Sequence, residues 1–221
     1  LAQKIGEDVF KKFIKNTNLT KAPEVELEEV GAPHKIKWNK CKIETVSFGH
    51  GITTTPLQAT TLYASLVNGG NLVTPSLIKE RNKIETKKII SNETSKEISS
   101  ILRQVVSSEN GTASLADVDG YYVGGKTGTA ESYGNNKQRI NSFISIFPTK
   151  KPNYSLFIML ENPKLNKDLV YNYRGIKTKA PYNTSGWNSV YVAGKIIEKI
   201  GPILAINNKD FLNQYVVEKF N

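Results

Sequence analysis

About midway along the chain, the spacing of apolar residues changes from a helical period to a period of two. Upstream, Ala2, Ile5, Val9, Phe13 and Ile14 recur at helical spacing and predict one amphipathic helix from Ala2 to about Lys15. Pro23, Gly31 and Pro33 then mark an extended loop. Thr55-Pro56 supplies an N-cap with proline at the first helical position, for a helix carrying Leu57, Thr61, Ala64 and Val67 that ends at Gly69-Gly70. The uneven, turn-rich run from Leu72 to Ile90 reads as short strands. Ser91 caps a further helix, with Ile98, Ile101, Leu102, Val105 and Val106 on its buried side. Downstream, Tyr121 to Thr129, Ser142 to Phe147 and Tyr154 to Glu161 alternate as strands. The last two are joined by a Pro-Thr-Lys-Lys-Pro-Asn turn, which predicts an antiparallel hairpin. A final helix runs from about Gly186 to Ile200. Helices and antiparallel strands in separate blocks predict an α+β fold, a sheet flanked by helices. No repeat, low-complexity tract or linker divides the 221 residues, so one domain is expected.

Composition narrows the function classes. The longest strictly apolar run is Leu156 to Leu160, far too short for a membrane span. The net charge is +10, yet only Arg81, Arg103, Arg139 and Arg174 are arginines and the lysines are scattered. Nucleic-acid readers favour Arg forks and basic stripes, so a solvated lysine surface is expected and no nucleic-acid partner. An acidic polymer or anionic surface stays open as a partner. Cys41 stands alone, and His34 and His50 sit in loop and turn settings that suit structural or surface roles. No Cys/His cluster has metal spacing, and no cofactor is implied. The first residue is Leu1 and the only methionine is Met159, so the chain is expected to be a piece of a longer polypeptide.

Two mechanisms compete for Gly124-Gly125-Lys126-Thr127-Gly128-Thr129-Ala130. Read from Gly120, the residues Gly-Tyr-Tyr-Val-Gly-Gly-Lys-Thr satisfy the phosphate-cradling pattern G-x-x-x-x-G-K-[ST]. That loop needs a strand before it and a helix after its Lys-Thr. The preceding residues, Ala116 to Asp119, are polar, and the stretch from Gly128 to Asn136 has no helical period. The rival reading is the Lys-Thr-Gly signature of penicillin-recognising enzymes, where the motif lies on a strand beside the substrate.

The surroundings favour the second reading. Ser47-Phe48-Gly49-His50-Gly51-Ile52, Thr55-Pro56-Leu57-Gln58-Ala59, Tyr63-Ala64, Asn68-Gly69-Gly70 and Gly111-Thr112-Ala113 precede the motif in this order. Ser142-Phe143 and Phe147-Pro148 follow it. As a series they resemble class B penicillin-binding proteins. Gly186-Trp187-Asn188 with Val192 to Ile197 resembles the septal, division-specific type.

The resemblance implies a partial penicillin-binding transpeptidase fold, like that of serine β-lactamases. It also implies acyl transfer by a serine that cleaves the D-Ala-D-Ala bond of peptidoglycan stem peptides. Lys126 would add positive charge and bond to the serine of a Ser-x-Asn motif. Thr127 and Thr129 would hold the substrate carboxylate, and Gly128 would allow close approach. The Thr129 N–H would serve as one oxyanion-hole donor. The nucleophile and the Ser-x-Asn motif would lie upstream of Leu1, leaving this chain inactive alone. Ser76-Leu77-Ile78-Lys79 and Ser108-Glu109-Asn110 copy those motifs but fall on a strand-rich connection and a loop.

Stem peptides, β-lactams and division-machinery membrane proteins are the implied partners, outside the inner membrane and with the anchor upstream. Asn162-Pro163 and the loop to Tyr182 read as a long irregular connection that could border a groove, with Tyr171, Tyr173 and Tyr182 as candidates to contact glycan or peptide. Glu131 reads as a cleft-edge or surface carboxylate. A D,D-carboxypeptidase, a β-lactamase-like enzyme and a non-catalytic scaffold piece stand as alternatives, with a nucleotide binder last.

Overall fold

The computed structural model describes residues 1–28, 30–39, 41–79, 86–131 and 138–207. They form two compact units, Leu1–Ser95 and Lys96–Asn221, the second described up to residue 207.

The first unit is helical. α1 (Ala2–Ile5) and α2 (Glu7–Asn16) replace the single expected helix. Gly6, at φ 87, takes a left-handed backbone that no helix interior accepts, and it separates the two. Val9 is 62% exposed, so the apolar stripe of α2 covers less core than its period suggests. α3 (Lys42–Val46) is an addition to the expected elements and buries Ile43 and Val46.

α4 (Pro56–Val67) starts where its cap predicts. Thr55 Oγ accepts the Gln58 N–H at 3.1 Å, with Pro56 in the first turn. Thr55→Ala is expected to destabilise this unit by about 1 kcal/mol, read as a lower urea midpoint at unchanged slope. After Gly69-Gly70, the expected short strands reduce to an isolated bridge between Asn71 and Lys88 among the described residues. Residues 80–85 of that stretch lie outside them.

α5 (Asn92–Ser107) is capped by Ser91, whose Oγ accepts the Thr94 N–H at 3.1 Å. It buries Leu102 and Val106, while Ile101 faces outward at 58% exposure.

The second unit holds the sheet. β1 (Gly124–Glu131), β2 (Arg139–Phe147) and β3 (Tyr154–Glu161) pair antiparallel in that order. The hairpin is as expected, but β1 starts three residues late. Tyr122 adopts φ 46, which stops Tyr121 to Val123 from joining the strand. The side chains of Tyr121 and Val123 instead enter the core, where both are buried.

α6 (Ser189–Asn207) packs on β2 and β3, past a single 3₁₀ turn at Ser185–Trp187. Phe143, Phe147, Val190, Ala193 and Ile197 form the centre, each at most 1% exposed. Pro202 lies inside α6, which runs seven residues beyond its expected end. β4 (Val170–Tyr173) and β5 (Ile176–Lys179) form a separate hairpin inside the connection read as irregular.

Candidate functional site

β1 carries the Lys-Thr-Gly motif in mid-strand, with Lys126 opposite Ile144, Thr127 opposite Phe143, Gly128 opposite Ser142 and Thr129 opposite Asn141. The strand continues through Thr127 to Glu131 where a phosphate loop needs a helix, which removes the nucleotide-binding reading. The part of the Gly128-to-Asn136 stretch at 132–137 lies outside the described residues.

The pleat sends Thr127 and Thr129 to one face and Lys126 to the other. A cleft of about 510 Å³ opens over the threonine face. Thr112, Asn110, Tyr173, Ser185 and Trp187 join Thr127 and Thr129 in lining it. Lys126 and Gly128 do not line it; Lys126 Nζ donates to the Thr127 carbonyl at 2.9 Å. A Cβ on Gly128 would meet Ser142 Oγ at 2.6 Å, so the strand pair itself favours glycine there.

Hydroxyls converge on the motif. Thr127 Oγ1 and Thr112 Oγ1 share a hydrogen bond at 3.2 Å, and Thr129 Oγ1 and Ser185 Oγ share one at 2.9 Å. Ser185 Oγ also donates to the Gly128 carbonyl. The far end of β1 is tied down by Arg139, which pairs with Glu131 and donates to the Asn183 carbonyl at 2.8 Å. Glu131 is therefore partnered as well as exposed. Arg139→Gln is expected to loosen the 3₁₀ turn that presents Ser185, read as faster amide exchange at Ser185–Trp187.

An aromatic wall closes one side. Tyr173 stacks on Trp187 at 5.0 Å between ring centroids, and Arg174 lies over the Tyr173 ring. The Ser114 hydroxyl beside Tyr173 holds its phenol below the usual range, against burial and with help from Arg174. Tyr171 is buried at 4% exposure, edge-on to both Trp187 and Tyr191. Burial, then Tyr191, pushes its phenol up. It supports the wall and is not available to contact a ligand, a correction to its sequence reading. Tyr182 remains exposed.

The two imitation motifs differ in place. Ser76 lies in an irregular segment, its Oγ donating to Glu26 at 2.7 Å, so Lys79 is not one helical turn beyond it. Ser108-Glu109-Asn110 forms the loop after α5, and Arg174 donates to the Ser108 carbonyl. That loop borders the cleft through Glu109 and Asn110. Thr112, Ser185 and Tyr173 went unassigned from sequence as companions of the motif. Thr112 and Ser185 are flanked by glycines, the available signal for close packing against β1.

A larger cavity of about 670 Å³ lies between Asp117–Tyr121 and α6 and includes Lys195 and Glu198, whose hydrogen bond holds Lys195 above its usual value. It contains no part of the motif. Among the described residues no His/Cys/Asp/Glu group could hold a metal, and no helix is long and apolar enough to cross a membrane.

Residues 1–183 match the penicillin-binding protein transpeptidase domain. The chain belongs to that family. A probable peptidoglycan D,D-transpeptidase FtsI of Caulobacter vibrioides is 33% identical over 95% of this chain and 36% of its own length. The stage V sporulation protein D of Bacillus subtilis is 32% identical over 74% of this chain and 28% of its own. The chain thus spans about a third of these curated relatives. The transpeptidase domain of Burkholderia pseudomallei penicillin-binding protein 3 superposes with a TM-score of 0.74 at 21% identity, over 91% of this chain and 59% of that one. That likeness establishes the fold: the α+β arrangement is part of a penicillin-binding transpeptidase domain.

Proposed function

We propose that the chain supplies the Lys-Thr-Gly wall of a peptidoglycan D,D-transpeptidase of the septal type. The observation that carries this reading is the paired presentation of Thr127 and Thr129 on one face of β1, over a cleft with an aromatic wall. Two hydroxyls spaced by one pleat suit the terminal carboxylate of a stem peptide, and the Tyr173–Trp187 pair suits the peptide's apolar parts. Lys126, on the opposite face, adds fixed positive charge and a donor for a serine of the Ser-x-Asn motif. The Thr129 N–H is one oxyanion-hole donor, and the N–H of the nucleophile is the other.

The nucleophilic serine and its lysine belong to a segment outside this chain. Support comes from Ser76, whose geometry lacks a helical lysine partner, and from the share of the relatives' length that this chain covers. Acyl transfer then has two steps. The serine oxygen attacks the carbonyl of the penultimate D-Ala and loses its proton to the activating lysine, and terminal D-Ala leaves with a proton. An amine of a second stem peptide next attacks the ester, forming the cross-link and returning the serine proton. The setting is the outer face of the inner membrane, with an anchor outside this chain and division-machinery membrane proteins as partners.

The test is product analysis. The longer polypeptide joining this chain to the serine-bearing segment is incubated with a D-Ala-D-Ala stem peptide and an acceptor stem peptide. Cross-linked dimer with released D-Ala is the expected product by mass spectrometry. Release of D-Ala without dimer would identify a carboxypeptidase, and no release would remove the reading.

A further inference from the structure

The hydroxyl protons around Thr129 do not add up to a ready anion site. Each hydroxyl has one proton and two lone pairs. Ser185 Oγ directs its proton at the Gly128 carbonyl, which can only accept. The 2.9 Å contact between Thr129 and Ser185 must then be donated by Thr129. In this state Thr129 turns only lone pairs to the cleft, and lone pairs repel a carboxylate.

A second hydroxyl offers the way out. Ser142 Oγ also donates to the Gly128 carbonyl, at 3.4 Å from across the strand pair. Ser185 can therefore turn its proton from Gly128 to Thr129 while Gly128 keeps a partner. Thr129 is then free to donate into the cleft.

Ser185 is built for this. It is 1% exposed, so bulk water does not compete for its hydroxyl. Its backbone carbonyl accepts from Ser189 Oγ at 3.2 Å, anchoring the 3₁₀ turn to α6. The Thr127–Thr112 pair, by contrast, is exposed and has no third hydroxyl bonded to it among the described residues.

We infer that Ser185 is the positioning residue that sets whether the Thr129 hydroxyl donates to an anion in the cleft. The inference rests on the reading of the cleft as a carboxylate site. It assigns Ser185 no contact with the reacting atoms.

The experiment compares acylation of the longer polypeptide by benzylpenicillin and by its methyl ester, which lacks the anionic carboxylate. The wild type is expected to prefer the acid. Ser185→Ala removes the acceptor that holds the Thr129 proton. It is therefore expected to raise the acid-to-ester rate ratio about fivefold, the worth of one neutral hydrogen bond that no longer has to be given up when the anion enters. In a Thr129→Val background the same substitution is expected to change the ratio less than about twofold, because the two residues act as one unit. Ser185→Thr, which keeps the hydroxyl, is expected to retain the wild-type ratio.

A wild-type or lowered ratio in Ser185→Ala, or an equal rise in the Thr129→Val background, overturns the inference and leaves the carboxylate reading standing. A wild type indifferent to the ester overturns that reading first. Should Ser185→Ala abolish both reactions, Ser185→Cys, of similar volume but a poor acceptor, carries the same expected rise.

Discussion

Lys126→Ala is expected to slow penicillin acylation of the longer polypeptide by about a hundredfold or more. One preorganised donor or charge in an acyl-transfer site is typically worth about 10²–10³ in rate. In the proposed site Lys126 supplies charge and a donor to the Ser-x-Asn serine; it sits in mid-strand between two paired neighbours, and its Nζ donates to the Thr127 carbonyl at 2.9 Å. Its side chain is exposed, so its removal leaves no cavity. The unfolding midpoint is accordingly expected to shift little, which separates a catalytic loss from a folding one. Stopped-flow acylation with a reporter β-lactam reads the first quantity and thermal unfolding the second. A fall of less than about threefold would assign Lys126 to the ordinary charged surface of a strand.

Phe143→Ala is expected to be the most damaging single truncation in the second unit, at about 3–5 kcal/mol. Phe143 is fully buried at the middle of β2, opposite Thr127 on one side and Ile158 on the other. It belongs to the cluster that α6 closes with Val190, Ala193 and Ile197. Its ring also lies where a side chain on Gly125 would point, so the motif strand rests on it. Domain stabilities of about 5–15 kcal/mol leave little margin for such a loss. Urea unfolding of the 221-residue chain measures it, and a cost under about 1 kcal/mol would place the core elsewhere. Because the core and the motif share this residue, the substitution is also expected to broaden the amide resonances of Thr127 and Thr129.

The elements written most plainly in the sequence are those fixed by local chemistry. The Thr55-Pro56 cap, the Ser91 cap and the hairpin from Ser142 to Glu161 all lie where their residues place them. Departures arise where a backbone angle overrides the apolar period. Gly6 splits a helix that the spacing of Ile5 and Val9 would continue, and Tyr122 delays the start of a strand that its side chain favours. The β4–β5 hairpin was illegible because Val170 to Lys179 pairs only with itself and carries too few apolar residues to show alternation.

At the site, the threonines of the motif could be named from sequence. Their opposite face from Lys126 is implicit in a strand period of two, once the strand is granted. Ser185 could not be assigned. Its role depends on a contact 56 residues distant in sequence, and the neighbouring glycine signals close packing without saying which hydroxyl it will meet.

Fluorescent penicillin labelling of this 221-residue chain, beside the longer polypeptide, tests the central claim most directly. In the proposed reading, Thr127 and Thr129 bind the carboxylate, the Thr129 N–H is one oxyanion donor, and the chain has no nucleophile. No covalent label is expected on the chain, and one label, on a serine of the added segment, is expected on the longer polypeptide. A label on the chain itself, lost in Ser76→Ala, would show that the active site is complete within these residues and that the division of labour proposed for Lys126, Thr127 and Thr129 is wrong.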